Sequence, residues 1–220
     1  MTQADQREPR QERSRVTQRK ILDAAGQALS ESGWEGMVIS KVAAAAGVSV
    51  GSVYERFQDK GGLVRAVQRD MLDAVDADLR EAFARLERAE QTPVRDLIAE
   101  AVAALAEQLT RHGAVMGPLV LRAATDPSLR ERGNATSELA EKLFTSLLVA
   151  RADELRCPAP ATAVPVIFRS VFSTAMWQVM FGADTGLRHA ISEEQLLLEL
   201  IRMCQLYLLN PDEAASEGDR

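Results

Sequence analysis

Ser40-Lys41-Val42-Ala43-Ala44-Ala45-Ala46-Gly47-Val48-Ser49-Val50-Gly51-Ser52-Val53-Tyr54-Glu55-Arg56-Phe57 is the stretch that decides the fold. Two short helical segments, 40 to 46 and 50 to 56, flank a turn of three or four residues containing a glycine, which is helix-turn-helix spacing. Ala43 and Ala46 are small where the second helix must approach closely, and Gly47 makes the turn. Val42, Val48, Val53 and Phe57 supply the apolar contacts between the helices, and Ser49 is placed to cap the second one through its hydroxyl.

The segment 50 to 56 predicts a helix roughly 10 Å long, a size that enters a major groove about 12 Å wide end-on. So short a helix is marginal alone. It must lean on the helix before it and on a long one beginning near Lys60. Val50, Gly51, Ser52, Tyr54 and Glu55 then face outward, and Gly51 lets the backbone come close to DNA.

On either side of this motif apolar residues recur at helical spacing, as in Ile21, Ala24, Ala25, Ala28 and Leu29, or Leu139, Leu143 and Leu147. Alternation of period two is missing, so the chain reads as all-α with about nine helices: 13 to 32, 40 to 46, 50 to 56, 60 to 90, 93 to 112, 116 to 124, 128 to 154, 160 to 181 and 191 to 209. Ser32-Gly33 closes the first, because glycine takes the left-handed conformation at a C-cap. Thr92-Pro93 opens another, with Thr92 as N-cap and Pro93 at the first helical position. Asp126-Pro127-Ser128 breaks one helix and starts the next, and Ser192-Glu193-Glu194-Gln195 has the form of a capping box. The expected domains are a disordered arm (1 to 12), a helix-turn-helix domain (13 to 60), a ligand-binding and dimerisation domain (61 to 210) and a disordered tail (211 to 220).

A net charge of −6 suits a nucleic-acid binder poorly until it is divided along the chain. Residues 1 to 69 carry 11 Lys and Arg against 8 Asp and Glu, and residues 70 to 220 carry 15 against 24. Only the N-terminal third is suited to face phosphate. Arg10, Arg13, Arg15, Arg19 and Lys20 lie there, either as further groove or phosphate contacts or as a solvated charge run.

From residue 13 to 67 the sequence resembles the tetracycline repressor (TetR) family of bacterial regulators. The family's ordered pattern is matched by Ile21-Leu22-Asp23-Ala24-Ala25, by Gly33, and by Val42 through Leu63. The resemblance implies that Ser40, with Lys41 beside it, meets phosphate or base, and that Ser49, Val50 and Gly51 begin the recognition helix, with Ser52 on it. It implies phosphate contacts from Tyr54 and Lys60. Arg56 stands where the family often has histidine, and its fork of donors suits phosphate. Val50 and Ser52 depart from a strong base-reading set, since they offer little hydrogen bonding to base edges. Gly61-Gly62 replaces the usual acidic pair, and two glycines there are expected to loosen the helix start by about 1 kcal/mol each.

For the larger part of the chain the resemblance implies a ligand-responsive homodimer, usually a repressor, bound to palindromic double-stranded operator DNA and released by a small, largely apolar effector. The last predicted helix is apolar nearly all round, and Leu197, Ile201 and Leu208 are the expected dimer residues. His112, Met116, Phe144, Phe168, Phe172, Met176, Trp177 and Met180 are the expected pocket lining, because methionine and aromatic side chains adapt to apolar ligands. Arg169, Gln178 and Arg122 are further polar groups of interest, and His112 beside Gly113 reads equally as a helix C-cap.

Other classes fit less well. His112 and His189 have no cysteine or carboxylate at metal-ligand spacing, and no nucleophile elbow or glycine-rich phosphate loop is present, so no catalysis, metal or cofactor is expected. Cys157 and Cys204 lie far apart without a CxxC. The polar N-terminus lacks the apolar segment of a secretory signal, and Arg169, Gln178, Glu199 and Arg202 interrupt the longest apolar runs. A cytoplasmic protein without membrane contact is therefore expected. A small-molecule or protein-partner binding module without sequence-specific DNA binding is the alternative that Val50 and Ser52 leave open.

Overall fold

A computed structural model describes residues 3 to 182 and 191 to 210, with side chains from residue 12 onward. Eight α-helices lie among them: α1 (Gln3–Gly36), α2 (Ile39–Ala46), α3 (Val50–Phe57), α4 (Lys60–Arg88), α5 (Val94–Ala123), α6 (Pro127–Val149), α7 (Pro160–Phe181) and α8 (Glu193–Leu209), with a 3-10 turn at Ala152–Glu154. No strand occurs among the described residues.

Local chemistry sets most of these ends. Gly33 breaks the regular run of α1 at φ 63° and ψ −172°. Asp126 Oδ1 accepts from the backbone N–H of Ser128 and Leu129, opening α6 just ahead of Pro127. The Ser192 hydroxyl and the Gln195 side chain complete the capping box of α8. At α5 the Pro93 carbonyl takes the first helical bonds, from Asp96 and Leu97, so Pro93 and not Thr92 holds the N-cap position.

Three boundaries differ from the sequence reading. Helix α1 extends back to Gln3, through most of the stretch expected as a disordered arm. Helix α5 runs unbroken from 94 to 123 where two helices were expected. Gly113 lies inside it, as does Pro118, which lacks the N–H that would bond one turn back and crowds the carbonyl there; the helix runs through both, and His112 is a mid-helix residue, not a cap. Helix α6 stops at Val149 and gives way to the 3-10 turn. The tail at 211 to 220 and His189 lie outside the described residues, as does the side chain of Arg10.

The chain divides into two compact units, Met1–Leu72 with Ala114–Arg132, and Asp73–Gly113 with Gly133–Arg220. Unit 1 thus contains the helix-turn-helix together with a segment remote from it in sequence. Its core gathers Ile21, Ala25, Leu29, Val42, Val53, Phe57 and Leu63 around residues from that segment, Leu119 and Leu129. The Gln68 side-chain amide donates to the Leu129 carbonyl at 2.8 Å, so a buried amide fastens the segment as well as apolar contact.

Unit 2 packs around Phe83, Leu97, Ile98, Leu105, Phe144, Leu148 and Val171. Three aromatic pairs run through it: Phe83 with Phe144 (centroids 6.4 Å), Phe144 with Phe168 (5.8 Å) and Phe168 with Phe172 (5.4 Å). Helix α7 is long and apolar enough to cross a membrane, with a mean hydropathy of 1.2 and 22% of its window buried, so Arg169 and Gln178 do not interrupt it as the sequence reading supposed.

Candidate nucleic-acid interface

Helices α2 and α3 are joined by a turn whose geometry follows from Gly47. That residue sits at φ 67° and ψ 35°, the left-handed region. The Val48 N–H reaches the Ala43 carbonyl at 2.9 Å and the Gly47 N–H reaches Ala44 at 3.1 Å, closing α2 with a Schellman pair. Ala43 and Ala46 are buried against the partner helix, as are Val42, Val53 and Phe57, while Val48 is half-buried. Every apolar residue assigned to this crossing faces it.

Ser49 caps α3 as expected. Its hydroxyl accepts from the Ser52 N–H at 3.1 Å and lies 3.0 Å from the Ser52 hydroxyl. The α2 N-terminus has no such cap: Val38 precedes it without a side-chain bond, leaving the first amides of that helix open. Ser40 and Lys41 are exposed on this end.

The outward face of α3 carries Val50, Gly51 and Tyr54, with Tyr54 47% exposed although aromatic. Ser52 is half-buried. Arg56 is exposed but not idle, since its guanidinium donates to the Ser52 carbonyl at 3.0 Å within the same helix. Lys60 is half-buried, with its Nζ 4.8 Å from the centroid of the Trp34 ring. Of the arm cations, Arg19 is engaged with Asp70 at 2.5 Å.

The joint between α3 and α4 is tighter than the sequence suggested. Gln58 adopts φ 67° and ψ −55° while the Asp59 N–H bonds the Phe57 carbonyl two residues back at 2.8 Å, a γ-turn of the strained hand. This turn presses the Phe57 carbonyl onto Gly62, where a Cβ would stand 2.0 Å from the oxygen. Asp59 Oδ1 then caps α4 through the Gly62 N–H at 2.6 Å. Glycine at 62 is thus a requirement of close approach and not a source of looseness, and in place of the expected loosened helix start stands a capped, crowded corner.

Unit 2 places the expected pocket residues elsewhere. Phe144 and Phe168 are buried in its core, Phe172, Met176 and Met180 are half-buried, and Trp177 is 47% exposed, its ring tilted against that of Phe181 with centroids 4.4 Å apart. Met116 is buried too, and belongs to unit 1. His112 is half-buried with its Nε2 unpartnered; burial lowers its pKa, Arg111 adds to this, and Asp78 opposes it. None of the eight lines the described cavity of about 450 Å³, whose walls are Ala103, Ala106, Glu107 and Thr110 of α5, Thr174, Ala175 and Gln178 of α7, and Glu193, Glu194, Leu196, Leu197 and Leu200 of α8. A stripe of large apolar side chains is what a core looks like; the cavity wall mixes alanine and threonine on α5 and α7 with glutamate, glutamine and leucine, and contains no aromatic or methionine.

The expected dimer residues also lie differently. Leu208 is fully buried within its own unit, and Leu197 and Ile201 are half-buried. The side chains left outward are Leu198, Met203, Leu206 and Tyr207 of α8, with Val166, Trp177 and Phe181 of α7.

Residues 21 to 67 match the family described as bacterial regulatory proteins, tetR family. The HTH-type transcriptional regulator BetI of Escherichia coli O139:H28 is 36% identical over 67 residues, 30% of this chain and 32% of BetI, so the match spans about a third of that relative. A TetR-family regulator from Mesorhizobium loti has a similar structure, with a TM-score of 0.65 and 21% identity over 89% of this chain and 94% of that one. A transcriptional regulator from Rhodococcus sp. Rha1 gives 0.64 and 23% identity over 86% and 95%. These two likenesses are of fold and extend through both units, while the sequence match is confined to the helix-turn-helix end. Residues 21 to 67 thus carry the signature of the tetR family of bacterial regulatory proteins, on a fold similar to that of the two solved regulators.

Proposed function

We propose that this protein is a dimeric, DNA-binding transcriptional regulator, a repressor acting in the cytoplasm, that leaves a palindromic operator when a small molecule binds unit 2. The observation that carries the reading is the outward face of α3, where Val50, Gly51 and Tyr54 stand exposed on a helix whose other face is locked into the unit 1 core. Ser40, Lys41, Ser49, Arg56 and Lys60 surround that face with hydroxyls and cations, the groups that meet phosphate oxygens. Residues in contact with bases and phosphates are thus drawn from both helices of the motif.

Two recognition helices must reach successive major grooves about 34 Å apart, which requires a second copy. The outward apolar residues of α7 and α8 supply a self-complementary face for it. The cavity between α5, α7 and α8 is of ligand size, and an effector there releases DNA only by binding more tightly to a dimer whose spacing misses the operator.

Selection of random duplexes by the purified protein tests this reading, with enrichment of a palindrome as the expected result and its absence as the refutation. The second reading, a binding module without sequence-specific recognition, draws on the Ser49 and Ser52 hydroxyls facing each other at 3.0 Å next to an apolar Val50. It predicts salt-dependent binding to any duplex with no enriched sequence.

A further inference from the structure

Trp34 stands one residue beyond the break at Gly33, half-buried against the unit 1 core. Two cations from different helices lie over its ring: Lys60 at the start of α4, with Nζ 4.8 Å from the centroid, and Arg122 in the last turn of α5, with Cζ at 4.3 Å. Among the described residues neither has a carboxylate partner. Arg122 Nε is buried with no hydrogen bond, so the indole and not an acceptor holds the guanidinium. Tryptophan is the aromatic ring best suited to this contact.

The two charges are no more than about 9 Å apart, a distance at which like charges repel and an anion beside both relieves the repulsion. Lysine normally loses rotamer freedom when it seizes a phosphate; on the indole much of that loss precedes binding. We propose that Trp34 gathers Lys60 and Arg122 into one phosphate site beside the recognition helix, and that Arg122, far outside the helix-turn-helix in sequence, is a DNA-backbone contact. The proposal rests on the DNA-binding reading above and names the phosphodiester as the ligand.

The test is the salt dependence of binding by the full-length protein to a mixed-sequence duplex, because backbone contacts need no operator. Lys60→Ala and Arg122→Gln should each lower the slope of log affinity against log salt by about one, and Arg122→Lys should restore it. Trp34→Leu should weaken binding about two- to fivefold, with Trp34→Phe retaining most of it. In nuclear magnetic resonance spectra the ring-current shift of the Lys60 ε-methylene should vanish in Trp34→Leu and persist in Trp34→Phe, and duplex binding should change that shift in the unaltered protein, which a purely structural tryptophan would not produce. Arg122→Gln with unchanged slope while Lys60→Ala loses one overturns the composite site and leaves the DNA reading standing. Tighter binding by Trp34→Leu overturns it also, since the ring would then be a competitor for Lys60. Failure of the unaltered protein to bind the duplex refutes the DNA reading itself. Saturable binding of inorganic phosphate, undiminished in both cation variants, would place the anion elsewhere and refute the proposal.

Discussion

At residue 62 a hydrogen atom is all that fits. The Phe57 carbonyl lies where a Cβ would be 2.0 Å away, and because that neighbour is backbone no flexible side chain can yield. Gly62→Ala is therefore expected to lower stability by about 2 kcal/mol or more through overpacking, measured by urea denaturation. Protonation of His112, in unit 2, is coupled to folding. Its imidazole is held below the ordinary value, chiefly by burial, so the folded protein prefers the neutral ring. The stability this confers is complete above the unfolded value near 6.5 and is lost as pH falls through the lower folded value. Melting temperature should fall more steeply from about pH 7 to about pH 5 in the unaltered protein than in His112→Gln; parallel curves would refute the assignment. Neither effect was legible beforehand: Gly61-Gly62 read as a loosened helix start, and His112 as a possible cap, because a close approach from Phe57 and an unbroken α5 are tertiary facts.

Among the elements, α3 shows how one side chain can serve both stability and the proposed recognition. Ser49 caps it and stands exposed at its start. Ser49→Ala should cost about 1 kcal/mol in denaturant titrations. Ser49→Asp should keep the cap and the stability yet weaken duplex binding, because its carboxylate would face phosphate. Equal binding by Ser49→Asp would take this residue off the interface. The cap, the Gly47 turn and the buried faces of α2 and α3 were all readable in sequence, since each depends on neighbours a few positions away. Helix α5 was not, for Gly113 and Pro118 are stop signals locally, and a helix passes both once its sides are packed.

For the whole molecule, the exposed apolar side chains of α7 and α8 are the surface through which the proposed dimer would form. Leu208 faces inward with no exposure, whereas Met203 and Tyr207 are 61% and 53% exposed. Replacing both of the latter by Asp should convert a dimer into a monomer by sedimentation and abolish high-affinity binding to a palindrome, while leaving the melting transition of the monomer intact. Loss of folding on the same substitutions would instead assign these residues to an internal core. The last helix is apolar around nearly its whole circumference, so composition alone did not distinguish its inner stripe from its outer one. The same limit applies to the cavity, whose walls of alanine, threonine, glutamate, glutamine and leucine carry no signature in sequence.

The sequence by itself determined the all-helical class, the helix-turn-helix and its family, and the caps that begin α3, α6 and α8, because periodicity and capping act over a turn or two of chain. Only the tertiary structure decided that residues 114 to 132 join the helix-turn-helix unit, that Gly62 accommodates the Phe57 carbonyl, and that Lys60 and Arg122 meet on Trp34. Those contacts join residues far apart along the chain or depend on how one corner closes, and side-chain type and spacing do not encode such approaches.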